Sequence, residues 1–235
     1  SKWDEGKAYI TVDLHQLGNF EPYVYRTDNY GKSWKKITNG IKDSNLSYTR
    51  CLREDPVREG LLYLGTENKL YVSFDDGGEW QEMMSNLPHT PMYWIDIQEH
   101  FNDLVLGTYG RGIWILDDIS PLQQLNKEIV KKESYLFDIK TSYRFHNVTS
   151  TLQIYPEASS GMDPPSGASI NYWLKNSDKD VKLIITNSDN DTVKTINDKG
   201  NVGINRVWWD YRGENTDDIV FRTKPLYADW VSIGD

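Results

Sequence analysis

Short runs of alternating apolar and polar residues, typical of β-strands with one buried face, recur along the first half of the chain. KAYITVD (7–13) and YTRCLRE (48–54) are two such runs, and turn-favouring residues separate the runs from one another. The pattern predicts three groups of strands, with the letters A to D marking the position within a group. The predicted strands are Ala8–Asp13 (B), Tyr23–Thr27 (C) and Trp34–Ile37 (D); Tyr48–Glu54 (A), Leu61–Thr66 (B), Leu70–Phe74 (C) and Trp80–Met83 (D); Tyr93–Gln98 (A), Leu104–Thr108 (B) and Ile113–Leu116 (C).

The three groups are copies of one repeat. LLYLGTENKLYVSFDD (61–76) aligns without a gap at an offset of 42 with DLVLGTYGRGIWILDD (103–118), so that Lys69 meets Arg111. Upstream, KAYITVD matches at an offset of 54 and VYRTDNYGKSW at 46, and the difference of 8 is an insertion between two strands. A repeat of this length is typical of a four-stranded propeller blade, so residues 1–118 are predicted to form about two and a half blades.

The C-terminal half carries different patterns. Residues 119–134 open with Ser-Pro and carry spaced Leu and Ile residues, which predicts a short helical linker. Residues 135–235 are predicted to form a β-sandwich module, complete or cut short, with a loop at 157–168 and an irregular tail from 216. Its clearest predicted strands are Ala168–Asn176, the hairpin Asp180–Ile196 and Gly203–Gly213.

The composition of the chain argues against two classes of binding partner. The chain has 235 residues, a net charge of −9 and a sequence pI near 5.0. An acidic surface is repelled by nucleic-acid backbones and anionic membranes, so neither is an expected partner. No run approaches the roughly 18 apolar residues of a membrane-spanning helix. Cys51 is the only cysteine and is predicted to be a buried small apolar residue; no metal set and no cofactor motif is found.

Two octets of the same form stand 46 residues apart: TDNYGKSW (27–34) and SFDDGGEW (73–80). Such an octet could be a cation loop, a source of catalytic carboxylates, or a structural turn. The repeat places both octets in the C-to-D hairpin, where glycine supplies positive φ and short polar side chains accept turn amides. An EF-hand calcium loop needs an order of oxygen ligands that these octets lack. We therefore predict a structural role for Thr27, Asn29, Gly31, Trp34, Ser73, Asp75, Gly77 and Trp80.

The octets resemble the Asp-box, or BNR repeat, S-x-D-x-G-x-x-W, of sialidases, xyloglucan-cleaving propellers and sortilin/Vps10 propellers. More specifically, residues 7–125 resemble the last blades of large exported bacterial proteins labelled BNR-repeat or sortilin-like glycosyl hydrolases. The pattern G-x-N-x-x-x-W-D at 203–210 is similar to the module that follows the propeller in those proteins. The resemblance implies an all-β fold, with an incomplete Asp-box propeller followed by an Ig- or fibronectin-like sandwich, and an extracytoplasmic (periplasmic, cell-surface or secreted) location.

The chain departs from the family pattern at two points. Asn29 stands for the Asp of the first octet, and no Gly-x-x-Trp follows Asp118, so the third turn is expected to be degenerate. Two and a half blades cannot close a ring. The missing blades are therefore expected from the same parent chain, extending upstream of Ser1, or from other chains.

Strand direction predicts where a ligand face lies. In an up-and-down sheet the C-to-D turns share one end with the A-to-B turns, and the remaining loops lie at the opposite end. Tyr109 and Arg111 are favoured for ligand contact, since aromatic side chains and Arg are common recognition groups. Asp13 and Asp43 are candidates for the carboxylate pair of a glycosidase, with plain surface polarity as the competing interpretation. The candidates at this end are Asp13, His15, Asp43, His89, Tyr109 and Arg111.

Two functional hypotheses follow. In the first, the chain is part of an exported sortilin-like propeller protein that binds a protein, peptide or glycan. In the second, it is part of a glycoside hydrolase whose catalytic carboxylates lie mainly in blades outside this chain. No nucleophile–base pair, P-loop or dinucleotide-binding motif is present, so catalysis by the chain alone is not expected.

Overall fold

The computed structural model describes residues 1–144, 163–177 and 180–214. The chain divides into two compact units, Ser1–Asn126 and Lys127–Asp235. The described residues form several small antiparallel sheets and two short α-helices, so the predicted all-β class is confirmed. Most of the predicted loop 157–168 and all of the predicted tail from 216 lie outside the described residues. Neither helix is long and apolar enough to cross a membrane.

Three sheets build the first unit. The first sheet contains β1, β2 and β3; the second contains β4, β5, β6 and β7; the third contains β8, β9 and β10, each in that spatial order. The strands are β1 Ala8–Val12, β2 Tyr23–Thr27, β3 Lys35–Lys36, β4 Thr49–Glu54, β5 Leu62–Thr66, β6 Leu70–Ser73, β7 Gln81–Glu82, β8 Met92–Gln98, β9 Asp103–Thr108 and β10 Ile113–Leu116. The predicted D strands are thus shortened to two residues, because the chain leaves the sheet directly after them.

The first and second sheets repeat one register. Ala8 pairs with Thr27 in the first sheet, and Leu62 pairs with Ser73 in the second, which reproduces the offsets of 54 and 46. The insertion between β1 and β2 contains a 3-10 helix, His15–Leu17. The repeat inferred from the sequence is therefore also a repeat of strand pairing.

The third sheet corrects the alignment. Gly65 pairs with Leu70, five residues later, whereas Gly107 pairs with Ile113, six residues later. The loop between β9 and β10 thus holds one residue more than the loop between β5 and β6, and β10 follows β6 at an offset of 43. The gap-free alignment is wrong beyond this loop, since sequence similarity on both sides of it hid a single insertion.

The second sheet is buried on both faces. Leu61, Tyr63, Leu70 and Val72 pack with the third sheet, in a core that includes Ile95 and Leu106. The opposite face packs with the first sheet through Leu62, Leu64, Tyr71 and Trp80. Because both faces are covered, β5 is apolar along its length and does not alternate. Burying these apolar side chains stabilises the packing of the three sheets against one another.

The region predicted as a linker contains two helices, α1 Ser120–Gln124 and α2 Lys127–Lys131. The unit boundary falls between them. The second unit has a three-stranded sheet in the order β11–β12–β15 and a hairpin, β13–β14. Its strands are β11 Ser134–Leu136, β12 Ala168–Leu174, β13 Asp180–Thr186, β14 Thr192–Lys199 and β15 Gly203–Trp209.

Candidate functional site

The octet at 73–80 forms the turn between β6 and β7. The amide of Gly77 donates a hydrogen bond to Ser73 Oγ (3.0 Å), and the Ser73 hydroxyl donates to Asp75 Oδ1 (2.8 Å). Asp75 Oδ1 also accepts the amide of Glu79 (2.9 Å). Gly77 has a φ of 78°, a left-handed conformation that glycine adopts without strain. Both polar side chains are thus engaged in satisfying amides of the turn.

The octet at 27–34 repeats this geometry between β2 and β3. The amide of Gly31 donates to Thr27 Oγ1 (3.0 Å), and the Thr27 hydroxyl donates to Asn29 Oδ1 (3.0 Å). Asn29 Oδ1 accepts the amide of Ser33 (3.0 Å), so its side-chain oxygen does the work of the Asp75 carboxylate. No group of three or more His, Cys, Asp or Glu side chains in the described part of the chain is arranged to hold a metal ion.

The two tryptophans of the octets differ in burial. Trp80 is 2% exposed in the core between the first and second sheets, whereas Trp34 is 41% exposed. Next to the octet turn of the second sheet, Asp76 joins the two sheets through an ion pair to Lys7 (3.0 Å) and through its carbonyl oxygen, which accepts from Arg26 (2.8 Å). This end of the sheets therefore carries contacts that hold the sheets together.

At the opposite end of the sheets, a continuous series of stacked side chains connects all three sheets. His15 stacks on Tyr48, with ring centroids 4.8 Å apart. The guanidinium carbon of Arg50 lies 4.8 Å from the centre of the Tyr48 ring and 4.7 Å from that of Tyr93. Tyr93 in turn contacts Tyr109, at a centroid distance of 5.5 Å. The series thus runs from the first sheet, through the start of β4, to the third sheet.

Two carboxylates hold the arginine at the centre of this series. Arg50 Nη1 lies 2.7 Å from Asp13 Oδ2, and Arg50 Nη2 lies 2.6 Å from Glu67 Oε2. Burial disfavours the charged guanidinium, but the hydrogen bond to Glu67 and the nearby carboxylate charges outweigh it, so the pKa of Arg50 is raised. We call these residues the Arg50 cluster: Asp13, His15, Tyr48, Arg50, Glu67, Tyr93 and Tyr109.

Asp13 and His15 form a close pair within the cluster. Asp13 Oδ1 lies 2.6 Å from His15 Nδ1 and also accepts the backbone amide of His15 (3.0 Å). Burial opposes ionisation of Asp13, yet the hydrogen bonds from His15 and the charge of Arg50 outweigh it and lower the pKa of Asp13. A carboxyl group that stays ionised cannot serve as the general acid of glycoside hydrolysis.

Burial also separates the inner from the outer members of the cluster. Tyr48 is 6% exposed, and burial together with a hydrogen bond to Glu67 raises the pKa of its hydroxyl. Tyr93 and Tyr109 are 47% and 69% exposed. The buried members of the cluster therefore contact one another, whereas the rings of Tyr93 and Tyr109 are accessible to a ligand.

The cluster contains three of the six predicted ligand-face residues: Asp13, His15 and Tyr109. Asp43 instead accepts a hydrogen bond from Ser47 (3.2 Å) and lines a separate cavity of about 460 Å³. His89 and Arg111 are exposed, and within the described residues their side chains do not join the Arg50 cluster. The predicted end of the sheets is where these residues lie, but only half of them meet.

The sequence did not predict four members of the cluster: Tyr48, Arg50, Glu67 and Tyr93. Arg50 and Tyr93 occupy equivalent positions in β4 and β8, next to β-bulges that fall at the same place in both strands. The sequence carries a signal for them, because Arg50 and Tyr93 are each the second residue of their strand, at the predicted ligand end. The predicted ligand face contains only loop residues, whereas Arg50 and Tyr93 lie within strands.

The guanidinium of Arg50 is engaged by two carboxylates, and the exposed surface of the Arg50 cluster is aromatic. Comparisons of the chain with protein-family models, curated proteins and solved structures gave no match.

Proposed function

We propose that the first unit is a set of consecutive blades from an Asp-box β-propeller, belonging to an exported bacterial protein of the sortilin-like, BNR-repeat class. Three features support this: the shared register of the first two sheets, the equivalent hydrogen bonds of the two octet turns, and the burial of the second sheet between its neighbours. The further blades come from the same polypeptide or from other chains.

We propose that the unit binds a peptide, protein or glycan at the end where the Arg50 cluster lies. The observation that carries this proposal is the exposed pair of rings, Tyr93 and Tyr109. Tyr93 packs against Arg50, and two carboxylates hold Arg50 in place. A fixed aromatic surface binds a ligand at low entropic cost, because few torsions are lost on binding. At the other end, the polar side chains of the octet turns already accept hydrogen bonds from the backbone amides of those turns.

We propose that the second unit is an Ig- or fibronectin-like sandwich. Its three-stranded sheet and its hairpin are linked by the Tyr172 hydroxyl, which donates to Asp198 Oδ2 (2.5 Å). Gly200 lies against Leu174 and Val181, where an added Cβ would be 2.1 Å from Leu174 Cδ1. Such close contact between the sheet and the hairpin favours a two-layer module.

The binding proposal is tested with arrays of glycans and of peptides probed with the whole chain. Tyr109→Ala and Tyr93→Ala are expected to weaken binding by about tenfold each, in the range of lost aromatic contacts at an interface. Tyr30→Ala is the matched control, since Tyr30 is an equally exposed tyrosine (73%) at the octet end. Equal losses in all three variants would refute a site at the Arg50 cluster.

The hydrolase alternative is distinguished by turnover. Asp13 is held ionised and lacks the acid role, so the chain alone is expected to leave sialosides and xyloglucan intact. Release of reducing sugar by this chain, abolished by Asp13→Asn, would favour catalysis at this end over binding.

A further inference from the structure

The first sheet carries a long connection between two of its strands. Thr11 pairs with Val24, thirteen residues later, whereas its equivalent Gly65 pairs with Leu70, five residues later. The connection from β1 to β2 is therefore eight residues longer than the connection from β5 to β6. Strand pairing does not need the extra residues, since the second sheet keeps the same register without them. Insertions of this kind lie in loops, often on the binding face of a repeat protein.

A cavity of about 460 Å³ lies between this insertion and the connection from β3 to β4. Ser47 joins the two connections, because its hydroxyl lies 3.0 Å from the carbonyl oxygen of Phe20 and 3.2 Å from Asp43 Oδ1. Ser47 itself is buried. Both walls therefore belong to this chain and are held to one another. We call this space the insertion cavity; its lining consists of residues 18–21 and 43–45.

The insertion cavity lies beside the Arg50 cluster. The insertion contributes His15, whose ring stacks on Tyr48, and also Phe20, whose ring centroid lies 6.0 Å from that of Tyr48. Tyr48 opens the second sheet, so these contacts place the cavity between the first and second sheets, and its walls do not depend on a further blade. The cavity is thus at the end of the sheets where we propose that a ligand binds.

The lining offers both donors and acceptors of hydrogen bonds. Asn45 is exposed, and its carboxamide can donate and accept. The Ser44 hydroxyl accepts the amide of Leu46 (3.2 Å), which leaves its own proton for another acceptor. Asp43 and Glu21 add carboxylate oxygens, which only accept. Sugar hydroxyls donate and accept at once, so they match this mixture, whereas a cationic group would leave the donors of Asn45 and Ser44 unused.

The two carboxylates of the lining already have partners. Glu21 Oε2 lies 3.4 Å from Lys36 Nζ, and Asp43 Oδ1 accepts the hydroxyl of Ser47. These partners reduce the attraction of the cavity for a further cation. Residues 18–21 and 43–45 contain no Lys, Arg or His, so an anionic group would meet like charge without a cation of the lining to pair with. The charge of the cavity therefore favours an uncharged ligand.

Phe20 gives the cavity one apolar surface. Its side chain is 38% exposed although its ring contacts Tyr48. A sugar ring has a face of C–H groups, which packs on an aromatic ring, and a rim of hydroxyl groups, which needs polar partners. One exposed ring among polar side chains fits that division. The volume is within the range of small-molecule sites, roughly 300–1,000 Å³.

We propose that the insertion cavity binds an uncharged sugar residue of a glycan. Phe20 packs against the C–H face of the sugar. Asn45, Ser44 and the two carboxylates form hydrogen bonds with its hydroxyl groups. The inference rests on the proposed function and names glycans as the class of ligand at this end of the sheets. Sugars that carry a carboxylate are excluded by Asp43 and Glu21.

NMR titration of the whole chain with the methyl glycosides of glucose, galactose and mannose tests the proposal. At least one hexoside is expected to bind, and the matching uronide, which differs only by its carboxylate at C6, is expected not to. Phe20→Ala and Asn45→Ala are each expected to weaken binding of the hexoside by about fivefold or more. Phe101→Ala is the matched control, since Phe101 is similarly exposed (44%) at the octet end. Circular dichroism checks that every variant is folded.

The double variant Glu21→Gln with Asp43→Asn tests the origin of the charge selectivity. It is expected to gain binding of the uronide, because the like charges are removed while the amide oxygens still accept hydrogen bonds. A double variant that still rejects the uronide would contradict this origin. Titration with an oligolysine peptide covers the cationic alternative: binding that the double variant loses, with no hexoside bound, would assign the cavity to a basic peptide instead.

Failure of all three hexosides to bind, equal affinity for hexoside and uronide, or equal weakening in Phe20→Ala and Phe101→Ala would each overturn the proposal. The array measurements on Tyr93→Ala and Tyr109→Ala do not depend on the cavity. A cavity that binds no sugar therefore leaves the proposed function standing. Conversely, hexoside binding that Phe20→Ala weakens, without any effect of the two tyrosine variants on the arrays, would remove the proposed site and keep the cavity.

Discussion

The indole nitrogen of Trp80 donates a hydrogen bond to the carbonyl oxygen of Ile37, 2.7 Å away in the neighbouring sheet. Trp80 closes the octet of the second sheet, and Ile37 follows the last strand of the first. The octet therefore does more than close a hairpin, because its final residue anchors one sheet to the next.

Trp80→Phe is expected to destabilise the protein by about 1–3 kcal/mol, because the buried carbonyl of Ile37 loses its donor. Trp34→Phe, the same change at the exposed equivalent, is expected to stay within about 0.5 kcal/mol of wild type. Urea denaturation followed by circular dichroism measures both. Equal effects would contradict a cross-sheet role for Trp80.

Ser73→Ala is expected to cost about 1–3 kcal/mol, because the buried amide of Gly77 loses its acceptor. Ser33→Ala removes a hydroxyl that accepts only an exposed bond from Asn29, and is expected to change stability by less than about 0.5 kcal/mol. Thermal unfolding distinguishes them. A neutral Ser73→Ala would mean that the turn forms without its side-chain acceptor.

The two equivalent glycines should respond differently to a methyl group. Gly65→Ala brings its Cβ to 2.7 Å from Met92 and is expected to cost about 1–3 kcal/mol through overpacking. Gly107→Ala meets ordinary contacts and is expected to be tolerated in the monomer. The difference in melting temperature between the two variants is the measurement, and a stable Gly65→Ala would show that the sheets can move apart.

Low pH should remove the contribution of the Asp13 carboxylate to the stability of the folded protein. Its pKa is lowered below the ordinary value of 3.8 in the folded state, so the stabilisation is complete above that value and is lost as pH falls through the folded pKa. Asp13→Asn is therefore expected to melt lower than wild type near neutral pH, with the gap closing in strong acid. Asp189→Asn, at an exposed turn, is the control for removal of a surface carboxylate.

Cys51 should react slowly in the folded protein. Burial raises the pKa of its thiol to about 11, so little thiolate exists at mildly alkaline pH. Alkylation by iodoacetamide, followed by mass spectrometry, is expected to be much slower in buffer than in urea. Equal rates would indicate that the contact between the second and third sheets opens readily.

The strands and turns were predictable because their signals are local. Short apolar runs and the repeat predicted the ten strands of the first unit, all of them to within one residue at each end. The octets predicted their own turns, since the side chains that satisfy the amides lie within four residues of them. The gap-free alignment is wrong after the loop between β9 and β10, because the one extra residue in that loop leaves the similarity on both sides intact.

The site was only partly predictable because its contacts are long-range. Tyr109 was expected at the ligand end, and the structure places it against Tyr93. Arg50 lies within a strand, where nothing local distinguishes an arginine facing solvent from one joining two carboxylates. Its partner Asp13 is distant in sequence, and only the stacking of the sheets brings them together.

The sequence by itself determined the repeat and the chemistry of the octet turns. The turns depend on residues at most four positions apart, and the repeat is visible because such local patterns recur along the chain. Tertiary structure alone decided burial and partnership. Trp34 and Trp80 end octets of the same pattern, yet one is exposed and the other buried, since only Trp80 has a sheet on the side it faces. Ile113 and Leu70 likewise hold one position in the repeat and differ in what covers them, because burial depends on the neighbouring layer and not on the residue.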